Sequence, residues 1–328
     1  FQAEDGIRDC LLSRGLGDVY KRQIKACIEK YLESDIALIE KVSKYIIDAP
    51  SKKIRPILVA IIGKALNLDK EKSYKLAVII EFIHTATLLH DDVVDLSGKR
   101  RGKDTVNKVW GNEASVLVGD FLYSRSFEIM VELDDMEVMK ILAHATNTIA
   151  KGEVLQLTCV DQVETNIEEY LRVIQYKTAT LFEALCECTA VLADCDSETR
   201  KNLAMYGRNI GLAFQISDDV LDYVAESNEQ IGKNIGDDLS GGKITLPFIY
   251  AFQNCSDSKK DILKDIIQKR KIEDFLILKD IIFETNALEM TQNKAIEYVS
   301  LAKENVKVCL LYTSDAADDT PCVDLGGR

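Results

Sequence analysis

The sequence predicts an all-α fold, a single domain of many helices around a central space. Apolar residues recur at spacings of three and four through nearly the whole chain, which is the period of an amphipathic helix. No segment shows the sustained alternation of apolar and polar residues that is typical of strands. Only four prolines and 17 glycines occur among 328 residues, so long helices are permitted almost everywhere.

The predicted helices lie between short polar breaks. These breaks fall near residues 48–53, 67–70, 96–104, 133–136, 161–165, 195–197 and 226–242. The apolar positions that best show the helical period are Ile36, Ile39, Val42, Leu76, Ile79, Ile80, Ile83, Leu171, Ile174, Leu181 and Leu185. The longest loop-like stretch, SNEQIGKNIGDDLSGGK, has the glycines and mixed charges of a mobile loop that can fold over a phosphate.

The two ends of the chain resemble translated sequencing adaptors. The codons GAT GTG TAT AAG AGA CAG encode the DVYKRQ near the start, and their reverse complement, read one base in, encodes the CLLYT near the end. We hypothesise that residues 1–23 and 309–328 are non-native tails. The natural domain then covers residues 24–308, with its last helix truncated, and the tails are excluded from fold reasoning.

Composition and charge exclude several classes of protein. The formal net charge is -13 and no basic arm is present, which argues against nucleic-acid binding because neutralised phosphates dominate that affinity. No run of eighteen apolar residues predicts a membrane span. The start lacks the order of a signal peptide, so we expect a cytoplasmic protein whose nine cysteines are reduced thiols. Cys186 and Cys188 are expected to be core residues.

Two copies of the pattern Asp-Asp-x-x-Asp stand in apolar surroundings, in LLHDDVVD and ISDDVLDY. On a helix the first and last aspartates of each copy share one face. Crowded carboxylates are costly unless a cation lies among them, and hard oxygen ligands at this spacing suit Mg²⁺. A solvated acidic patch would explain one copy, but two copies flanked by Leu, Val and Ile favour metal binding.

Basic residues accompany both acidic motifs. KRRG follows the first motif, KKIRP precedes it, and Lys177, Lys233 and Lys243 surround the second. A charge run is usually a solvated face, which is the interpretation we give Lys99. Together, carboxylates that hold Mg²⁺ and scattered Lys and Arg indicate a diphosphate pocket.

Seven segments in order resemble the motifs of the trans-isoprenyl (polyprenyl) diphosphate synthases. The resemblance covers about residues 24–308 and is strongest to the long-chain bacterial members that make octaprenyl diphosphate for quinone side chains. It implies the isoprenoid synthase fold with a central active-site cavity. The segments are EFIHTATLLHDDVVD, KRRG, VLVGDFLYSRSF, GEVLQL, YKTATLFEA, AFQISDDVLDY and GKNIGDDLSGGKITLPFIYA.

The resemblance also implies a role for individual residues. It implies that about three Mg²⁺ bridge the allylic diphosphate, held by Asp91, Asp92, Asp95, Asp218, Asp219 and Asp222. Arg100, Lys177, Lys233 and Lys243 match residues at the allylic diphosphate, and Thr178 and Gln215 match polar groups near the allylic carbon. Lys52, Arg55, His84 and Arg101 match the site for isopentenyl diphosphate. His84 alone would be interpreted as a core histidine, and His90 is interpreted as a packing residue.

The implied reaction is the successive head-to-tail trans addition of isopentenyl diphosphate to a farnesyl- or geranyl-type allylic diphosphate. The chain would grow along the helix of the first motif, where Thr87 and Ala86 lie about 6 to 7.5 Å before the metals. Their short side chains predict an open tunnel and a long product, with Phe121, Phe127 or Met130 as deeper plugs; tight helix packing is the alternative for Ala86. The resemblance further implies a homodimer whose product is delivered to membrane enzymes.

Other functions stay open at this point. A farnesyl or geranylgeranyl diphosphate synthase shares the motifs, and a regulatory subunit of a heteromeric synthase typically lacks one of them. A terpene cyclase replaces the second motif with an Asn-Ser-Glu type, and a generic acidic helical binding protein needs no ordered basic residues. One departure is DAPSKKIRP, where Pro50 and Ser51 replace the usual glycines and put the affinity for isopentenyl diphosphate in doubt.

Overall fold

The structure, a computed structural model, describes residues 16–100, 102–224, 236–270 and 272–310. Helices make up most of these ranges, which confirms the predicted all-α class. The first seven helices are α1 (Leu16–Tyr31), α2 (Ala37–Ile47), α3 (Ile54–Ala65), α4 (Lys70–Val94), α5 (Val106–Trp110), α6 (Asn112–Glu132) and α7 (Met136–Cys159).

The second half of the chain is helical as well. Its helices are α8 (Ile167–Ile174), α9 (Thr180–Leu192), α10 (Ser197–Val224), α11 (Asp237–Ser240), α12 (Leu246–Asn254), α13 (Asp257–Gln268), α14 (Phe275–Glu284) and α15 (Ala287–Leu310). A π-helical turn, Gln175–Ala179, joins α8 to α9, and a 3-10 turn, Ile272–Asp274, precedes α14. Within the described ranges, no helix is long and apolar enough to cross a membrane.

Six of the seven predicted breaks coincide with gaps between helices. The seventh, 226–242, lies outside the described residues up to 235, and its described part contains α11. Two further details differ. Ile36, expected on a helical face, lies just before α2 and is 55% exposed, because the helix begins one residue later. The break at 96–104 contains an antiparallel hairpin of β1 (Lys99–Arg100) and β2 (Lys103–Asp104). A strand of two residues is too short to show an alternation of apolar and polar residues, so the sequence pattern does not predict it.

The first helix of the described residues begins at Leu16, before the hypothesised domain start at residue 24, and α15 ends at Leu310. Residues 1–15 and 311–328 lie outside the described ranges. The adaptor origin of the two ends therefore stays a hypothesis.

Contacts between Cα atoms divide the chain into two compact units. Unit 1 comprises the described residues up to 146, together with 181–207 and 303–310, and unit 2 comprises 147–180 and 208–302. In unit 1, α4 packs chiefly on α6 and α3. The core residues Leu76, Ile79, Ile80 and Ile83 of α4 are fully buried, as their spacing predicts. Each such side chain contributes about 1.5–3 kcal/mol by leaving water.

Unit 1 contains the two cysteines and the histidine for which we predicted packing roles. Cys186 and Cys188 of α9 are both completely buried, which confirms them as core thiols. His90 packs on α6, with Nε2 3.2 Å from the Val116 carbonyl oxygen and 3.3 Å from Asp120 Oδ1. A Cβ at Gly119 would lie 2.4 Å from His90 Nε2, so this glycine lets α6 approach the histidine.

Unit 2 has a continuous apolar core built from α8 and from parts of α10 to α15. The buried polar side chains of this unit include Asp219 and Asp222 of the second aspartate motif. Buried members of the core include Val163, Tyr170, Ile174, Leu212, Ile216, Val220, Tyr223, Leu239, Phe248 and Leu263.

Candidate active site

The first aspartate motif ends helix α4. Asp95 is the C-cap residue, and its backbone N–H donates to the Asp91 carbonyl oxygen at 2.7 Å. Asp95 is exposed and Asp91 is partly exposed, whereas Asp92 is only 1% exposed. The motif thus presents two carboxylates toward solvent and buries the third.

Arg100 is the cation that compensates the buried Asp92. Its Nε donates to Asp92 Oδ1 at 2.8 Å. Burial raises the pKa of Asp92, and the neighbouring Arg100 opposes that rise. The hairpin that carries Arg100 turns at Gly102, whose φ of +77° favours glycine, and Tyr45 OH donates to the Asp104 carbonyl oxygen at 2.8 Å. The predicted site residue Arg101 lies outside the described residues.

A second basic cluster of unit 1 lies at the start of α3. Arg55 Nη1 donates to His84 Nε2 at 3.2 Å, and its guanidinium lies over the Phe182 ring, 4.5 Å from the centroid. Because arginine is always a donor, this contact leaves His84 Nε2 as an acceptor. Lys52 is exposed beside them. The structure therefore brings Arg55 and His84 together, as two predicted ligands of one diphosphate require.

The neighbouring Lys53 was not predicted to have a role. Its Nζ donates to Glu81 Oε1 at 2.6 Å, and Glu81 is 2% exposed. A buried carboxylate needs such a partner. Lys53 is also the N-cap residue of α3, with a left-handed backbone (φ 49°). This pair anchors the KKIRP segment to α4.

Ala86 and Thr87, the predicted chain-length residues, lie five and four residues before Asp91 on α4. Ala86 is 1% exposed and Thr87 is partly exposed. The Thr87 hydroxyl donates to the His84 carbonyl oxygen at 2.8 Å. The full burial of Ala86 means that a larger side chain would have to displace its neighbours.

The second aspartate motif lies in the last turns of α10, in unit 2. Asp218 is partly exposed, whereas Asp219 and Asp222 are buried at 5% and 1% exposure. Tyr170 OH donates to Asp219 Oδ2 at 2.6 Å, and Gln215 Nε2 donates to Asp219 Oδ1 at 2.8 Å. Burial raises the pKa of Asp219 well above its ordinary value, and the carboxylate of Asp238 adds to the rise.

The predicted polar pair is formed as well. Thr178 Oγ1 donates to Gln215 Oε1 at 2.8 Å, so a hydrogen-bond chain runs from Thr178 through Gln215 to Asp219. Thr178 stands in the π-helical turn that joins α8 to α9. Such turns insert one residue into a helix and often occur at functional sites.

Lys177 stands in the same turn and has two oxygen partners on α7. Its Nζ donates to Glu153 Oε2 at 2.5 Å and to Gln156 Oε1 at 2.8 Å. A Cβ at Gly152 would lie 2.8 Å from the Lys177 backbone nitrogen. Gly152 therefore allows the turn to approach α7 closely enough for both bonds.

The glycine-rich segment carries the remaining predicted lysines. Lys243 follows α11, and its backbone N–H donates to the Asp238 carbonyl oxygen at 2.9 Å. Lys233 lies outside the described residues. The loop behind Lys243 is anchored, because the Asp161 N–H donates to the Gly242 carbonyl oxygen at 2.9 Å and Asp161 forms an ion pair with Arg270 at 2.8 Å.

Sequence reasoning missed several residues that contact these groups. Glu153 and Gln156 belong to GEVLQL, a segment used only for the resemblance, and Asp238 belongs to the segment GKNIGDDLSGGK. Glu81 opens EFIHTATLLHDDVVD, where it was given no role, and Tyr170 carried no sequence signal. Each contacts a residue more than twenty positions away, so spacing along the chain does not reveal it.

The donor set fits a hard divalent cation. Within the described residues, no three His, Cys, Asp or Glu side chains form a ready-made metal cluster. A hard divalent cation such as Mg²⁺ usually takes one or two protein carboxylates and completes its shell with water and substrate phosphates. The second motif also concentrates negative charge at Asp218, Asp219 and Asp238, for which a cation would compensate.

Comparisons with known proteins agree with this chemistry. The Polyprenyl synthetase family matches residues 36–282. Octaprenyl diphosphate synthase of Escherichia coli (strain K12) is 44% identical over 277 residues, which are 84% of this chain and 85% of that protein. All-trans-nonaprenyl-diphosphate synthase (geranyl-diphosphate specific) of Rhodobacter capsulatus is 41% identical over 282 residues, 86% of each chain.

A solved structure supports the fold. It is the crystal structure of polyprenyl synthase from Caulobacter crescentus CB15 complexed with calcium and isoprenyl diphosphate, with a TM-score of 0.89, 38% identity and coverage of 97% of this chain and 95% of that chain. The predicted isoprenoid synthase fold is thereby confirmed. With three quarters of the chain matched by the family and relatives above 40% identity, this protein belongs to the polyprenyl synthetase family.

Proposed function

We propose that this protein is a Mg²⁺-dependent prenyltransferase that makes a long-chain all-trans polyprenyl diphosphate, with octaprenyl diphosphate as the product. It condenses isopentenyl diphosphate with an allylic diphosphate of the farnesyl or geranyl type, in successive head-to-tail additions. The observation that carries the proposal is that both aspartate motifs are intact and that each buries a carboxylate with dedicated partners. A noncatalytic subunit has no need of either arrangement.

For the allylic diphosphate, the proposed ligands are the cations that the family resemblance implies. Arg100 and Lys177 are each held in place by oxygen partners, so little side-chain entropy remains to be lost on binding. Lys243 and Lys233 complete the set. These positive charges stabilise the diphosphate trianion that forms when the allylic carbon–oxygen bond breaks.

Divalent metal ions are bound by the two aspartate motifs, and we propose about three Mg²⁺. The residues are Asp91, Asp92, Asp95, Asp218, Asp219 and Asp222. When bound, Mg²⁺ would neutralise the charge that develops on the departing diphosphate. Thr178 and Gln215 stand beside Asp219, where their dipoles can face the allylic carbon.

The second substrate is bound by Lys52, Arg55, His84 and Arg101. The contact between Arg55 and His84 supports a shared anion site, because one guanidinium can serve the imidazole and a diphosphate oxygen together. The alkene of isopentenyl diphosphate then forms a carbon–carbon bond with the allylic cation. The proton that is lost passes to the departing diphosphate. No protein base is required.

Chain length is set by the space beyond the first motif. Ala86 and Thr87 are short, so the growing tail can pass them, and relatives named for octaprenyl and nonaprenyl products support a long chain. We propose in addition that the protein is a cytoplasmic homodimer that delivers its product to membrane enzymes for quinone synthesis.

Product sizing tests this function. The protein is incubated with Mg²⁺, farnesyl diphosphate and labelled isopentenyl diphosphate, and the dephosphorylated products are separated by length. We expect a ladder that ends near eight isoprene units. A ladder that stops at three or four units would overturn the long-chain assignment and leave a shorter-chain synthase. A complete absence of Mg²⁺-dependent elongation would overturn the assignment as a prenyltransferase.

The variant Ala86→Phe tests the tunnel in the same assay. We expect its main product to shorten by several isoprene units, because the ring would occupy the path of the chain. Ala60→Phe is the matched control, since Ala60 of α3 is similarly buried at 2% exposure outside the proposed path. If Ala86→Phe folds and makes the wild-type product, Ala86 serves helix packing only.

A further inference from the structure

We propose that Tyr170 is a positioning residue, which orients the Asp219 carboxylate for binding of the divalent cation. The inference rests on the proposed function, because it assumes that the second aspartate motif binds metal. Tyr170 belongs to none of the matched motifs and stands 49 residues before the aspartate that it contacts.

The contact geometry shows how the carboxylate is held. Tyr170 OH donates to one oxygen at 2.6 Å, and Gln215 Nε2 donates to the other at 2.8 Å. With a donor on each oxygen, rotation about the Cβ–Cγ bond of Asp219 would break at least one hydrogen bond. The plane of the carboxylate is therefore set before any cation arrives.

The two hydrogen bonds leave lone pairs of the carboxylate unused. Each carboxylate oxygen offers two lone pairs, and the two donors occupy one on each oxygen. The remaining lone pairs are available to a metal ion or to a water molecule in its shell. Hydrogen bonds of this kind orient metal-binding carboxylates, and losing one typically costs 10–100-fold in metal affinity.

Local structure makes Tyr170 a rigid donor. Helix α8 begins with a capping box, in which the Asn166 side chain accepts from the Glu169 N–H and Glu169 accepts from the Asn166 N–H, both at 3.0 Å. Tyr170 follows at once in the first turn of α8. Its ring is 4% exposed and belongs to the apolar core of unit 2, so the hydroxyl has a fixed position.

A purely structural role is the alternative explanation. A buried phenol needs a hydrogen-bond acceptor, and a carboxylate would satisfy it anywhere in the protein. Tyr31 is such a case in unit 1: it is 9% exposed, and its hydroxyl donates to Glu132 Oε2 at 2.9 Å, away from both motifs. Tyr31 therefore provides a matched control for the removal of one phenol–carboxylate bond.

The test measures metal binding directly. Wild type, Tyr170→Phe, Tyr31→Phe and Asp219→Asn are each titrated with Mn²⁺ in the presence of inorganic diphosphate, and free Mn²⁺ is followed by electron paramagnetic resonance. All titrations are made well below the melting temperature of the least stable variant. We expect the Mn²⁺ dissociation constant to rise about 10–100-fold for Tyr170→Phe and less than twofold for Tyr31→Phe.

Turnover adds a second readout that a structural role would not change. For Tyr170→Phe, the Mg²⁺ concentration for half-maximal rate should rise by a similar factor, and kcat at saturating Mg²⁺ should approach the wild-type value. Tyr170→Met, which also lacks a donor, replaces Tyr170→Phe if the latter does not fold, and the same shifts are expected.

The outcomes separate the two proposals. If Asp219→Asn weakens Mn²⁺ binding and Tyr170→Phe binds it within twofold of wild type, the inference about Tyr170 is overturned and the proposed function stands. If the wild-type protein shows no diphosphate-dependent Mn²⁺ binding, the metal site of the proposed function is overturned, and the inference with it.

Discussion

The two Asp-Asp-x-x-Asp motifs have the same spacing, and their surroundings differ. In the first, the buried Asp92 pairs with the guanidinium of Arg100, 2.8 Å away. In the second, the buried Asp219 accepts from two neutral donors, Tyr170 and Gln215, and Asp238 raises its pKa further. The buried Asp92 thus has a cationic donor, whereas the buried Asp219 has two neutral donors and a carboxylate nearby. A repeated sequence pattern therefore does not determine the electrostatics of each copy.

The difference has a chemical meaning under the proposed function. A carboxylate that is already paired with arginine gains less from a metal ion than one that lies among other carboxylates. The second motif should therefore depend more strongly on the divalent cation. Removing individual residues tests that comparison. The largest expected effects are on catalysis and the smallest are on stability.

The largest effects should follow removal of the partly exposed first aspartate in each motif. Asp91→Ala and Asp218→Ala should each lower the rate of prenyl transfer about 10²–10³-fold, because each removes a carboxylate that would hold a metal ion against the departing diphosphate. Steady-state assays at saturating substrates check this. Asp257→Ala, at an exposed position paired with Lys260, is the control and should retain the wild-type rate. A loss of less than tenfold in either variant would contradict the proposed role of that motif in metal binding.

Lys177→Met should reduce kcat/KM for the allylic diphosphate about 10–100-fold, since a charge-assisted hydrogen bond contributes roughly 1.5–3 kcal/mol. Lys294→Met, which removes an ion pair with Glu297, is the control outside the site. The KM for isopentenyl diphosphate should change less than the KM for the allylic substrate. Equal changes in both constants would argue that Lys177 acts on the fold alone.

Arg100→Met isolates the cation of the first motif. It leaves Asp92 buried without its guanidinium, and we expect a loss of about 1–3 kcal/mol in the free energy of unfolding, less than for a fully buried pair because Arg100 is partly exposed. Urea titrations in EDTA measure it. Mg²⁺ with inorganic diphosphate should restore part of the loss. Arg125→Met, which breaks the surface pair with Glu128, should cost less than 0.5 kcal/mol or so.

The smallest expected effect is the pH dependence that Asp219 gives to the metal-free protein. Burial and then Asp238 raise its pKa in the folded state above the value of 3.8 expected when unfolded. Between those two values the folded protein binds more protons than the unfolded chain, so stability is highest at low pH and falls as pH rises. Asp219→Asn removes this loss and should raise the melting temperature in EDTA at pH 8 by about 2–4 °C per kcal/mol recovered.

The matched variant for this measurement is Asp92→Asn. It should give a smaller gain at pH 8, because Arg100 already opposes the rise in the pKa of Asp92. Near pH 4 neither substitution should raise the melting temperature, since the raised pKa keeps the Asp219 carboxyl protonated in the folded protein. A larger gain for Asp92→Asn than for Asp219→Asn would reverse the comparison between the motifs.

Much of the fold could be predicted from local patterns. Apolar spacing and polar breaks determine where helices run, because a helix must bury one face, and the core positions of α4 confirm this. The exception is Ile36, which has the right spacing but stands outside helix α2 and is 55% exposed. Periodicity identifies a helical face and does not set the residue at which the helix begins.

The sequence by itself determined the helical class, the family motifs and the six aspartates, since these depend on residue type and short spacing. It also supported Arg55, His84, Thr178 and Gln215 as site residues, which the fold brings into contact within each unit. Only the tertiary structure decided the partners of the buried carboxylates: Arg100 for Asp92, and Tyr170 for Asp219. Arg100 stands eight residues after Asp92, and Tyr170 stands 49 residues before Asp219. Residue type and short spacing do not pair them, because a carboxylate takes whichever donor the packing brings to it.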